Sequence, residues 1–223
     1  MRKLFRFSGI LLICLVLHGC GIGTSYIYTL YSDSFISNKK AIKKIILINP
    51  DFRAYKDRLD DDEQDFEKSA QMNKTLVEVI NKYAYKSGYN YEIVSSEGKS
   101  EAGTEFFTEL LPLRKAILQA ISNQDNPLNE IEDASYKKVA KSQFIVNTLI
   151  PAEMSELEKK YGTPFFSLFE VYSAHDHSYI IHIIADVSRG IVAYQEIKRL
   201  PGQIKKRELT PLIFDSFDSL RKI

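Results

Sequence analysis

Tryptophan is absent from the 223-residue chain, and cysteine occurs only twice, at Cys14 and Cys20. The chain beyond residue 20 therefore holds no thiol to form a disulfide, act as a nucleophile or ligate zinc. Charge of one sign is missing too, since 30 Lys and Arg stand against 29 Asp and Glu, a formal net charge of +1. That balance leaves no electrostatic footprint for the phosphate backbone, and no nucleic-acid partner is expected. No apolar run reaches the ~20 residues of a permanent membrane-spanning helix. Catalytic signatures are equally scarce: there is no Gly-x-Ser-x-Gly elbow, phosphate loop, dinucleotide fingerprint or His-Glu-x-x-His pair. No cofactor is expected. With 44% hydrophobic residues, a chain of this length can stabilise one domain by core burial alone.

What is present begins with an export signal. Arg2, Lys3 and Arg6 precede the apolar stretch Phe7 to Leu17, interrupted only by Ser8 and Gly9, a charged start followed by a short hydrophobic region. At roughly a dozen residues the stretch is too short to remain as an anchor and reads as a segment to be removed. Leu17-His18-Gly19-Cys20 follows and resembles the lipobox of bacterial lipoproteins. Leu17 stands three before the cysteine, Gly19 directly before it, His18 at the tolerant position, and Cys20 is the thiol that would receive lipid. The resemblance implies a signal peptide over 1–19 and three acyl chains on Cys20. At about 0.8 kcal/mol per buried CH₂, three chains hold a protein to a membrane permanently. Gly21 occupies the place where an inner-membrane retention signal of that family carries Asp, which implies the outer membrane. No acidic run follows Cys20 of the sort that marks surface-exported lipoproteins, which implies the periplasmic face. Loss of residues 1–19 removes three basic and no acidic side chains, leaving 27 against 29 and a formal charge of −2.

Residues 20–40 read as the lipidated cysteine and a tether, within which Tyr26-Ile27-Tyr28-Thr29-Leu30-Tyr31 alternates like an edge strand. Residues 41–223 read as a single α/β domain. Lys44 to Asn49, a β-branched run closed by Pro50, has the pattern of a central strand buried on both faces. Phe66, Ala70, Asn73, Leu76, Val77, Ile80, Tyr83 and Ala84 follow a helical period that stops near Ser87-Gly88. Tyr89 to Val94 reads as a strand. A second helical pattern covers Thr104 to Ser122, which Pro112 should start or kink, and the Asn/Asp/Pro cluster 123–129 marks a loop. Phe144 to Ile150 is strand-like. Pro151 to Gly162 has proline at its start, early acids, late bases and a terminal glycine, all favourable to a helix. Three strands then follow in succession, 165–172, 179–187 and 191–198, the last two joined by Ser188-Arg189-Gly190 as a hairpin with a bulge. Leu209, Leu212, Ile213, Phe217 and Leu220 define a closing amphipathic helix. The expected fold is thus α/β, in two or three layers, with a mixed sheet, a long C-terminal hairpin and a final helix.

This order, with the hairpin Ile183-Ile184-Ala185-Asp186-Val187-Ser188-Arg189-Gly190-Ile191-Val192-Ala193-Tyr194, is similar to the α/β domain shared by the curli-secretion lipoproteins and the lipoprotein activators of penicillin-binding proteins. In those families the hairpin reads as a hydrophobic strand, Asp, a turn, Gly and two apolar residues, places that Asp186, Gly190, Ile191 and Val192 fill. The resemblance implies a non-catalytic component of the cell envelope that binds a protein partner or associates with itself. Asp186, Arg189 and Gly190 are its candidate contact residues.

Two constellations suggest chemistry of another kind. His175, Asp176 and His177 are the nearest approach to a metal set, since residues two apart on a strand share a face. His182 has the opposite parity, and the segment also reads as a solvated turn. A metal-dependent or hydrolytic periplasmic enzyme built on His175, Asp176 and His177 is the alternative function. Asp57, Asp60, Asp61, Asp62, Glu63 and Asp65 lack the glycine and alternate spacing of a calcium loop, and read as a solvated helix entry. Tyr83, Tyr85, Tyr89 and Tyr91 cluster where some must be exposed, as an interface or as caps to a sheet edge.

Overall fold

The structure, a computed structural model, describes residues 25–57, 59, 63–95, 101–122, 144–145 and 151–223. The signal segment, Cys20, Asp60 to Asp62, the 123–129 loop and all but Phe144 and Ile145 of the 144–150 strand lie outside the described residues.

Four consecutive apolar residues with no exposed surface, Ile45 to Ile48, make β2 (Lys44–Ile48) a strand that only a sheet covered on both faces can accommodate. It pairs in parallel with β5 (Asn90–Val94) on one side and β7 (Phe165–Ser173) on the other. The main path through the sheet runs β1 (Tyr26–Tyr31), β9 (Ile191–Pro201), β8 (His177–Asp186), β7, β2, β5. Strands β7, β8 and β9 form an antiparallel meander, with the two-residue β6 (Phe144–Ile145) antiparallel to β9, so the sheet is mixed. A bulge sits where Ile184 pairs with Tyr194 but Ala185 with Val192.

β2 closes just before Pro50, as the sequence pattern suggests, and a further strand follows at once. At Asn49, whose φ is 34°, the backbone kinks, and the chain resumes beside β7 as β3 (Asp51–Tyr55), which in turn pairs with the short β4 (Gln64–Asp65). Asn49 N–H donates to the Val94 carbonyl at 2.7 Å, continuing the β2–β5 ladder. A proline lacking its N–H is tolerated at such an irregularity.

Helices cover both faces, giving three layers. On one face α3 (Glu101–Ser122) and α4 (Pro151–Tyr161) bury Leu110, Leu113, Ile117, Met154 and Leu157 against Ile46, Ile48, Phe166, Leu168 and Ile183. On the other, α2 (Phe66–Tyr83) and α5 (Lys206–Lys222) pack Leu76, Ile80, Leu209, Ile213 and Phe217 on Leu47, Phe169, Val171 and Ile180. Asp65 caps α2 by accepting from Lys68 N–H at 3.0 Å. Glu208 Oε2 accepts from Lys205 N–H at 2.9 Å at the start of α5. Each satisfies donors that a helix start leaves unpaired.

Three expectations need correction. The tether gives way, from Tyr26, to a strand paired with β9 along its whole length, and then to a short α1 (Asp33–Asn38); Leu30 and Phe35 are each only 1% exposed. The alternation of Tyr26 to Tyr31 is this edge strand, and what departs from a tether is the ordered packing from there to Phe35. Pro112 lies inside α3 on its exposed side instead of starting a helix. Phe66, counted in the helical core pattern, is 75% exposed at the first residue of α2.

Candidate functional site

The long hairpin β8–β9 ends in a turn that the sequence marks as the partner-facing tip. Asp186 is buried in that turn, with 5% exposure. Its Oδ1 accepts from Ser188 Oγ at 2.6 Å, its carbonyl from Arg189 N–H at 3.3 Å, and its Oδ2 lies 3.7 Å from Arg189 Nε. Gly190, with φ 63°, takes the left-handed place at which a side chain would be strained. What the tip displays is Arg189, whose side chain keeps 46% of its surface in solvent.

The opposite end of the sheet carries the histidine turn. Asp176 Oδ1 accepts from His177 N–H at 2.9 Å, and Asp176 Oδ2 lies 2.6 Å from His177 Nδ1. His175 is exposed, its N–H bound to the Asp57 carbonyl at 2.8 Å. Among the described residues no three His, Cys, Asp or Glu converge on a point that a metal could occupy. His182 does point to the other face, as its parity requires. It is wholly buried between Phe169, Tyr194 and Phe217, with ring centroids 5.1, 5.5 and 5.2 Å away. Burial, and secondarily the charge of Lys198, brings its pKa down to about 3, so it is a neutral core ring.

Two buried ionic groups escape a motif search. On the α3 face, Glu170 of β7 is 1% exposed, and Arg114 Nη2 of α3 donates to its Oε1 at 2.6 Å and to Asp51 Oδ2 of β3 at 3.3 Å. Asp51 Oδ2 also accepts from Arg53 Nε at 2.9 Å, and the Arg53 guanidinium lies 5.5 Å from the centre of the Tyr172 ring. The parallel register Asp51 to Glu170 and Arg53 to Tyr172 sets all four on one face. Burial pushes the Glu170 carboxyl up to about 7; Arg114 opposes this and Asp51 adds to it. The close Arg114 contact does not reverse the shift, because Asp51 shares that guanidinium and Glu170 Oε2 is buried with no donor among the described residues. Under α5, Glu196 and Lys198 of β9 are 1% and 4% exposed, with Nζ 3.3 Å from Oε1. Burial raises the Glu196 carboxyl above its ordinary value while Lys198 lowers it. A single Glu in Phe-Phe-Ser-Leu-Phe-Glu-Val-Tyr-Ser, and a Glu and Lys two apart in the last strand, are the signals that could have located both groups.

A groove of about 150 Å³ between α3 and α4 is lined by Glu109, Pro112, Leu113, Glu153, Glu156 and Leu157, with Lys160 paired to Glu109 across it. Of the four tyrosines near the end of α2, Tyr85 is 63% exposed, Tyr89 is buried, and Tyr83 and Tyr91 pack partly against the core. Among the described residues no helix is long and apolar enough to cross a membrane.

No family model matches the chain, and no curated protein matches it. Among solved structures, a PelC dodecamer from Paraburkholderia phytofirmans is 9% identical with a TM-score of 0.40, the match covering 88% of this chain and 97% of that one. A dodecameric variant of the same protein is 8% identical with a TM-score of 0.37, covering 80% and 88%.

Proposed function

We propose that the chain is a lipoprotein of the outer membrane, held on the periplasmic face through lipid on Cys20, whose α/β domain serves without catalysis as an interaction or assembly component of the cell envelope. The lipobox supplies the anchor. The observation that carries the interaction is the β8–β9 turn, in which a buried Asp186 holds the backbone rigid and Arg189 is presented to solvent. A pre-ordered loop bearing one exposed Arg binds with little further ordering cost, and Arg is favoured at such contacts for its planar, multiple donors. The partner is an envelope protein or a second copy of the chain.

The test is crosslinking in intact cells followed by recovery of the tagged protein. A defined adduct, weakened by Arg189→Glu, is the expected outcome. Recovery only as uncrosslinked monomer, in cells where another envelope complex is captured, would overturn the reading. A hydrolytic or metal-dependent enzyme is the second reading, favoured by the His177 and Asp176 contact. Stoichiometric zinc in the purified domain, lost in His177→Ala, would support it over the first.

A further inference from the structure

The sheet begins very close to the proposed anchor. Tyr26, first residue of β1, pairs with Arg199, so only Gly21 to Ser25 separate Cys20 from the sheet. Whatever conformation they adopt, the Cα of Cys20 can lie at most about 20 Å from that of Tyr26. A folded chain of this length has a radius of gyration of roughly 17 Å. The tether is thus shorter than the domain is wide, and the end of the sheet where β1 starts must stay beside the headgroups.

That end has the composition of a membrane contact near the anchor. Ile27 is 49% exposed, Pro201 at the end of β9 is exposed, and Tyr179 and Arg199 are directly paired and half-buried. Lys205 and Lys206 are exposed just after Ile204, whose N–H is held by Ser173 Oγ at 2.9 Å at the end of β7. Tyrosine and long cationic side chains favour the headgroup layer, where an apolar body and a polar tip are both satisfied. Of the acids described at this end, Asp176 is engaged with His177, Glu208 accepts from Lys205 N–H, and Asp57, whose carbonyl accepts from His175 N–H, lies at the β7–β8 turn, while Glu63 precedes β4 on the far side of β3. Glu63 therefore lies beyond β7, about 24 Å across the sheet from β1 at ~4.8 Å per strand.

Resting on the lipid anchor proposed above, we infer that the domain stands end-on against the phospholipid surface that holds its own acyl chains, with Ile27, Tyr179, Arg199, Pro201, Lys205 and Lys206 toward the headgroups. The Asp186 to Gly190 turn then points away from the bilayer, the length of β8 or roughly 30 Å further out. The anchor and the partner-facing tip occupy opposite ends of one rigid sheet.

The lipidated full chain, in vesicles of phosphatidylethanolamine and phosphatidylglycerol, tests this. Its one mature cysteine is blocked by lipid, so Pro201→Cys and Arg189→Cys each introduce a single free thiol for a fluorophore. Lys205→Cys is a second near-end probe should Pro201→Cys disturb the pairing of β8 and β9. A nitroxide carried on lipid headgroups should quench the Pro201→Cys and Lys205→Cys probes several-fold more than the Arg189→Cys probe. Equal quenching at both ends of a protein that floats with the vesicles would overturn the orientation and leave the anchor standing. An intact mass lacking acyl chains, with no flotation, would remove the anchor and this inference together.

Discussion

Replacing Glu170 by Gln deletes one ionisable group from the sheet while keeping its shape. The unfolded chain releases this proton near the ordinary value of 4.5, the folded chain near 7, because the carboxylate is buried and its Oε2 has no donor among the described residues. Between those values the folded state binds more protons than the unfolded one. The protonated group therefore contributes stability at low pH that is lost as pH rises toward 7. At 1.36 kcal/mol per pH unit the loss amounts to about 3 kcal/mol. Gln has no proton to lose, so in urea unfolding of the domain the stability of Glu170→Gln relative to the parent should climb by about that amount between pH 4.5 and 8. Taking the difference cancels every group the two proteins share. Parallel stability curves across that range would refute the reasoning, and would mean that Arg114 compensates the buried charge fully.

His182→Leu should act on the acid side. A base whose folded pKa is lowered to about 3 costs stability as pH falls from 6.5, up to about 5 kcal/mol at the extreme, so the variant should show a flatter acid limb in the same unfolding assay. Phe217→Ala, which empties a fully buried site against Phe169, Tyr91 and His182, should cost about 3–5 kcal/mol, read as a lower urea midpoint. Cys20→Ser should abolish labelling by palmitate and leave the protein soluble in the periplasm or held as precursor; labelling that survives the change would remove the anchor.

Much of the architecture is written in periodicity. The uninterrupted run Ile45 to Ile48, the helical spacing from Ala70 to Ile80 and the turn glycines at 88, 162 and 190 each express a local rule that tertiary context did not override. Where context did override, the reading went astray. β2 ends before Pro50 as its pattern indicates, but nothing local announces β3, which β7 accepts in a register shifted by one residue after the kink at Asn49. The affiliation of Tyr26 to Tyr31 depends on β9, far away in sequence, and no local pattern names that partner. The ionic pairs were hidden for the same reason. Glu170 and Arg114 come from different layers and meet only after folding, whereas His177 and Asp176 are neighbours in the chain and drew notice without converging on a third group.

The pairing of β1 with β9 also dictates an order of events. Strands β7, β8 and β9 follow one another through short connections and can zip locally, but Tyr31 meets Tyr194 only by closing a loop of roughly 160 residues, which is entropically slow. β1, which precedes every other described strand in the chain, is thus among the last to find its place. A chain held by lipid at Cys20 would complete its sheet while already tethered, with the C-terminal hairpin delivered to a waiting N-terminal strand at the membrane. Assembly of the fold and arrival at its working surface would then be one process, and an agent that traps the free hairpin would stall both.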